Sequence, residues 1–220
     1  MKTLPPVRSH FFLPALDVRL DHERTREFDR LFQAAQQQRP GSLIDYDCRF
    51  PKYEFLYYLT RHKRVVLHGS QQPGIEVFKP LHASQTGNLV AVYATADELW
   101  AIFSAIKSGQ ELNISGFFWA TDDHGKARKF YDLAFAPGAL GGTHWATGVV
   151  YILPQSAFET WGPEWVSKGA VRPLMCLPVV PEDVPFIHVL RRVVERRAGE
   201  SGFRILPGDS PTNYSLPTLT

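Results

Sequence analysis

His68, Gly69 and Ser70 stand together where a short β-branched run, Arg64-Val65-Val66-Leu67, gives way to a loop. Glycine lets a ligand come close to the backbone, and its neighbours add an imidazole and a hydroxyl, so three polar groups converge at one strand end. A bare tripeptide of this kind is also what a tight turn with a capping histidine looks like, so its weight depends on the segments downstream. The alternating Ile75-Glu76-Val77-Phe78 comes next. It is followed by Leu89-Val90-Ala91-Val92-Tyr93 directly ahead of a capped helix, and later by Val149-Val150-Tyr151-Ile152-Leu153. Tyr93 closes a buried strand, where its ring can pack into a core or stack on a flat ligand.

This order, from about Val65 to Val180, resembles the ADP-ribosyltransferase superfamily of the diphtheria-toxin and poly(ADP-ribose) polymerase type, marked by a His-Tyr-acid triad. The nearest likeness is to the rifamycin-modifying ADP-ribosyltransferases. These share a His-Gly-Thr/Ser strand end, a tyrosine strand before a helix, and a Tyr-Ile-Val-like strand. The resemblance implies NAD as co-substrate. His68 would then bond the adenosine ribose, Gly69 would bind the nicotinamide carboxamide through its backbone, Ser70 would assist with its hydroxyl, and Tyr93 would stack on the nicotinamide. The implied reaction breaks the nicotinamide–ribose bond through an oxocarbenium-like transition state and transfers a single ADP-ribose to a protein, nucleic acid or small molecule.

The third triad position departs from the polymerase pattern, because His144-Trp145-Ala146-Thr147-Gly148 ahead of Val149 holds no acid. Glu159 and Glu164 follow the Val149–Leu153 run, in the region where the rifamycin-type enzymes carry theirs. Glu164, in the segment Glu-Trp-Val-Ser, is favoured over Glu159. Two alternatives accompany the transferase. One is a non-catalytic NAD- or nucleotide-binding module of the same fold. The other is the superfamily's RNA phosphotransferase branch, which uses NAD to remove a phosphate and would need Arg64, Lys79 and Arg172 beside His68.

Other chemistry-bearing residues read as structure. Asp122, Asp123 and His124 look like a solvated hairpin tip, and no metal site is expected. Gly138, Gly141 and Gly142 do not form a dinucleotide or phosphate-loop fingerprint. Cys48 and Cys176 lie far apart without zinc or redox spacing. Thr95 and Glu98 have capping-box spacing, Trp100 belongs to an amphipathic face, and Lys79, His82 and Asn88 lie between the two motif strands.

The elements that must position these residues follow from periodicity. Helices are expected over Asp21–Gln38, with Phe28, Leu31, Phe32 and Ala35 on one face, and from near Pro51 through Leu59. Strands are expected at 64–67, 75–78, 89–93, 112–120, 129–135, 149–153 and, at an edge because of its prolines, 171–180. The capped helix carries Leu99, Ile102, Phe103 and Ile106, and a last helix runs over 181–197. These add up to one α+β domain over 1–198: N-terminal helices within 1–63, a sheet-rich core over 64–180 built as a split mixed or antiparallel sheet, and the C-terminal helix. An extended tail occupies 199–220.

Composition sets the outer bounds. Of 220 residues, 44% are hydrophobic and 13% aromatic, enough for a core. With 24 basic and 22 acidic side chains the formal charge is only +2, so net charge does not indicate nucleic-acid binding. Prolines interrupt the first residues, no run approaches the roughly 18 apolar residues of a membrane span, and a cytoplasmic protein is expected.

Overall fold

The computed structural model describes residues 9–82, 89–108, 112–121, 127–135, 145–162 and 164–188. The expected turn at 122–125, the glycines at 138–142, most of the C-terminal helix and the tail lie outside the described residues. The fold class is α+β. The chain divides into two compact units, one of Val18–Lys107 with Trp145–Ile187, the other of Met1–Asp17, Ser108–His144 and His188–Thr220.

The first unit opens with α1 (His22–Gln36) and α2 (Lys52–His62). Asp21 caps α1 by accepting from the Arg24 amide, and the face of Phe28, Leu31, Phe32 and Ala35 is buried as its spacing requires. Pro51 stands just ahead of α2, and Arg61 and His62 occupy its last turn, where cations favour the negative end of the helix dipole.

Two antiparallel sheets follow. In the first, β7 (Gly148–Pro154) lies between β2 (Val65–Ser70) and β10 (Met175–Val179). Strand β10 is at the edge, where Pro178 costs no central ladder bond. In the second the order is β3 (Leu81–His82), β4 (Val90–Ala94), β9 (Glu164–Ser167), β8 (Glu159–Trp161). The two sheets meet at one antiparallel bridge, Leu67 with Thr95, which exchange bonds of 2.8 Å in both directions. Beyond that bridge β2 and β4 do not pair.

Helix α3 (Glu98–Ile106) covers one face of the first sheet. It packs on β2 and β7 through two glycines: a Cβ at Gly69 or at Gly148 would collide with the backbone of Ala101 or Ala105. The other face carries Val66, Phe78, Val92, Tyr151, Leu153, Val171 and Cys176 in one buried cluster.

Four expectations are corrected. The cap of α3 is Asp97, whose carboxylate accepts from the Trp100 amide at 2.8 Å, while Thr95 is held extended by its bridge to Leu67. Residues 75–78 form no strand beyond one bridge from Phe78 to Val171; Gly74 adopts a positive φ of 72°, and the Ile75 amide donates to the Tyr151 hydroxyl. The hairpin β8–β9 has no counterpart among the expected strands, because its arms are only three and four residues long. Residues Pro181–Asp183 form a 3₁₀ turn instead of opening an α-helix.

The second unit holds a three-stranded antiparallel sheet, β1 (Ser9–Pro14), β6 (Ala127–Phe135) and β5 (Leu112–Thr121), with β6 central. Strand β1 precedes the two expected N-terminal helices and has no counterpart among the expected strands; Ser-His-Phe-Phe-Leu-Pro has the aromatic content and terminal proline of a strand. Among the described residues no helix is long and apolar enough to cross a membrane.

Candidate functional site

A cavity of about 210 Å³ opens where β2 and β4 part, lined by Leu67, His68, Gly69, Tyr93, Thr95, Glu164 and residues of α3. Four residues singled out from the sequence therefore come together: His68, Gly69, Tyr93 and Glu164. Ser70 is not among the lining residues. Its hydroxyl accepts from the Gln72 amide at 3.1 Å and shapes the following turn.

Strand register fixes which side chains share the cavity face. Leu67 stands opposite Thr95, and Tyr93 opposite Val166. Partners directly opposite in an antiparallel pair project to one side, and each strand alternates with period two. Leu67, Gly69, Tyr93, Thr95, Val166 and Glu164 thus share the face that α3 covers. His68, opposite Tyr151, belongs to the other face, and its ring packs 4.7 Å from that of Phe78.

Gly69 is the point where the ladder fails. Leu67 directs its N–H and C=O toward Thr95, so two residues on Gly69 directs its own toward β4, where Tyr93 would be its partner. The strands have separated by then, and the backbone donor and acceptor of Gly69 have no ladder partner. The Tyr93 carbonyl, which would have faced Gly69, is bonded by His68 Nδ1 at 2.6 Å. A carbonyl oxygen can only accept, so Nδ1 carries the proton. Burial holds the imidazole below its usual pKa, partly opposed by that bond, and Nε2 of the neutral ring is left as an acceptor.

The side chains around Gly69 differ in what they have left to offer. Tyr93 donates its hydroxyl to the Leu89 carbonyl at 2.9 Å, which leaves the ring itself to form a wall. Glu164 is partly buried, and among the described residues its carboxylate has neither hydrogen-bond nor ion-pair partner; burial alone raises its pKa. Glu159, the other candidate acid, is exposed and paired with Lys168 at 2.9 Å, away from the cavity. Arg64, Lys79 and Arg172 are all exposed and none lines the cavity.

No protein-family model, curated protein or solved structure matches this chain. The chemistry of the site therefore rests on its own geometry: one backbone donor–acceptor pair, aromatic lining from Tyr93 and Trp100, and one unpaired carboxylate around a space smaller than the roughly 300–1,000 Å³ of a whole-ligand site. That space is large enough for a single ring. Among the described residues no group of three His, Cys, Asp or Glu is placed to hold a metal ion.

Helix α3 contributes Trp100, expected only as part of an amphipathic face, together with Ala101 and Ser104, to the lining. Their periodicity marks them only as helix-face residues. The usable signal was the very short connection between Tyr93 and the helix cap, which forces the first turns of α3 back over the end of its own strand.

Proposed function

We propose that the chain is an NAD-dependent mono-ADP-ribosyltransferase of the His-Tyr-acid type, with the cavity as the seat of the nicotinamide ring. The observation that carries this reading is the opening of two sheets at Leu67–Thr95, which leaves the N–H and C=O of Gly69 facing a cavity. A primary carboxamide presents the complementary pair, an oxygen that accepts and an amino group that donates. Tyr93 supplies the flat wall on which the ring stacks. The small volume supports a seat for the nicotinamide alone, with ribose and phosphates beyond its mouth.

In this reading the bond between the ribose and the nicotinamide nitrogen breaks, and its electron pair leaves with neutral nicotinamide. Positive charge develops on the ribose, and the unpaired carboxylate of Glu164 stabilises it. An acceptor nucleophile then bonds the anomeric carbon and loses its proton. His68 is a positioning residue here. Its bond to the Tyr93 carbonyl holds the parted strands, while its ring lies on the face away from Tyr93 and Glu164, against Phe78. No observation favours the RNA phosphotransferase alternative, because the cavity lacks the arginines that a phosphate-bearing RNA would need.

The test is nicotinamide release from NAD by the purified chain, followed by mass spectrometry of the protein and of candidate acceptors. Glu164→Gln is expected to lower turnover about 100-fold or more while NAD still binds. Tyr93→Ala is expected to weaken NAD binding. NAD that binds and is never consumed would identify a binding module instead, and absence of binding would end the proposal.

A further inference from the structure

A second concavity, of about 360 Å³, shares no lining residue with the first and carries a different chemistry. Its cationic groups come from distant parts of the chain: Arg39 follows α1, and Arg172 precedes β10. Both are exposed. Arg172 has no hydrogen-bond or ion-pair partner among the described residues. Arg39 faces Glu76 across 3.5 Å, with the two side chains 81% and 72% exposed. An ion pair so long and so open contributes little, and solvent or a ligand can replace it.

The walls between these charges are firmly held. The Gly41 amide donates to the Leu174 carbonyl at 3.1 Å, and the Cys176 amide donates to the Ser42 carbonyl at 2.9 Å. Across the groove, the buried Tyr151 hydroxyl donates to the Gln72 carbonyl at 2.7 Å and accepts from the Ile75 amide at 3.0 Å. Gly74 has a positive φ of 72°, and a Cβ there would meet nothing within 4 Å, so its backbone lies open to the groove. Two exposed guanidinium groups thus sit on a fixed frame whose volume falls within the range of small-molecule sites.

We propose that this groove binds a phosphoryl group of a small metabolite, held by Arg39 and Arg172, with Glu76 as the resident carboxylate that it displaces. The planar fork of arginine matches phosphate and carboxylate alike. A phosphate monoester carries about −1.5 to −2 charges near neutral pH, more than the single charge of the Glu76 carboxylate, so it wins the exchange and also engages the unpaired Arg172. The inference does not rest on the transferase reading, since none of its residues touches the first cavity.

The experiment is calorimetric titration of the full chain with inorganic pyrophosphate, and with citrate as the carboxylate probe. Saturable pyrophosphate binding is expected, weakened at least about tenfold by Arg39→Ala and by Arg172→Ala, each of which removes a charge-assisted hydrogen bond. Glu76→Gln removes the competitor and is expected to tighten binding. Tyr93→Ala is expected to leave it unchanged. The three substituted groove side chains are exposed, and an unchanged melting temperature shows that the variants fold. Absence of binding, indifference to either arginine, or weaker binding in Glu76→Gln overturns the proposal. Loss of binding in Tyr93→Ala would place the anion in the first cavity and equally overturn it, and tighter binding of citrate would reject the phosphoryl assignment.

Discussion

His68 shows how one side chain can keep two strands in relation after their ladder has ended. Its Nδ1–H replaces the backbone donor that Gly69 would have offered to Tyr93, and the neighbouring Phe78 ring keeps water from much of the imidazole. Burial lowers its pKa from the ordinary 6.5, and the linked effect on stability has a definite sign. Well above pH 6.5 the ring is neutral both folded and unfolded. As pH falls below that value the unfolded chain takes up the proton first, so the protein loses stability until the folded pKa is passed. His68→Asn keeps a donor for the Tyr93 carbonyl and cannot titrate. Urea midpoints of both proteins between about pH 7.5 and 5 are expected to run in parallel at the upper end. At the lower end the wild type falls away while the variant does not. Parallel curves throughout would mean that the ring is not held neutral.

Between elements, the decisive contact is that of α3 with β2 and β7. Gly69 and Gly148 remove the two side chains that would keep the helix off the sheet, and the backbone of Ala101 and Ala105 occupies that space. Gly69 is also the residue whose N–H and C=O lose their ladder partner, because β2 and β4 part after Leu67. Gly69→Ala is expected to cost about 1–3 kcal/mol or more, because backbone atoms of α3 cannot yield as a side chain would. Thermal melting measures that loss. The cavity between α3 and the parted strands is expected to deform with it, so under the proposed function any NAD binding is lost together with stability. A variant as stable as the wild type would show that α3 does not seat directly on the Gly69 backbone.

At the scale of the molecule, protection is distributed unevenly across the first unit. Strand β7 is buried from Gly148 to Leu153 and hydrogen-bonded on both sides, whereas β8 is an exposed edge of three residues. Hydrogen exchange is expected to leave the amides of Val150–Leu153 among the last to exchange, with opening energies near that of global unfolding. Those of Glu159–Trp161 are expected to exchange with opening energies close to zero. The reverse order would contradict a central β7 and an edge β8. The proposed site draws on both sheets and on α3, so it spans the well-protected β2–β7 pair and the less protected β9–β8 hairpin.

Much of this was legible in the chain itself. Helical spacing places Phe28, Leu31, Phe32 and Ala35 on a buried face, and the β-branched runs at Val65 and Val149 become adjacent strands because such residues fit a pleated, buried surface. Of the residues that the family resemblance groups together, His68, Gly69, Tyr93 and Glu164 line one cavity and Ser70 does not. Other features were beyond the reach of local pattern. Strand register sends His68 to one face and Tyr93 with Glu164 to the other, and register is a property of pairs of segments. The short β8–β9 hairpin exists because β4 offers an edge to β9, and nothing within three or four residues encodes that edge. The sequence by itself determined the order in which the strands carrying His68, Gly69, Tyr93 and Glu164 arrive. Only the tertiary structure decided that the sheets part after Leu67, since a ladder ends where the paths of two strands diverge, and those paths depend on what each strand packs against elsewhere in the fold.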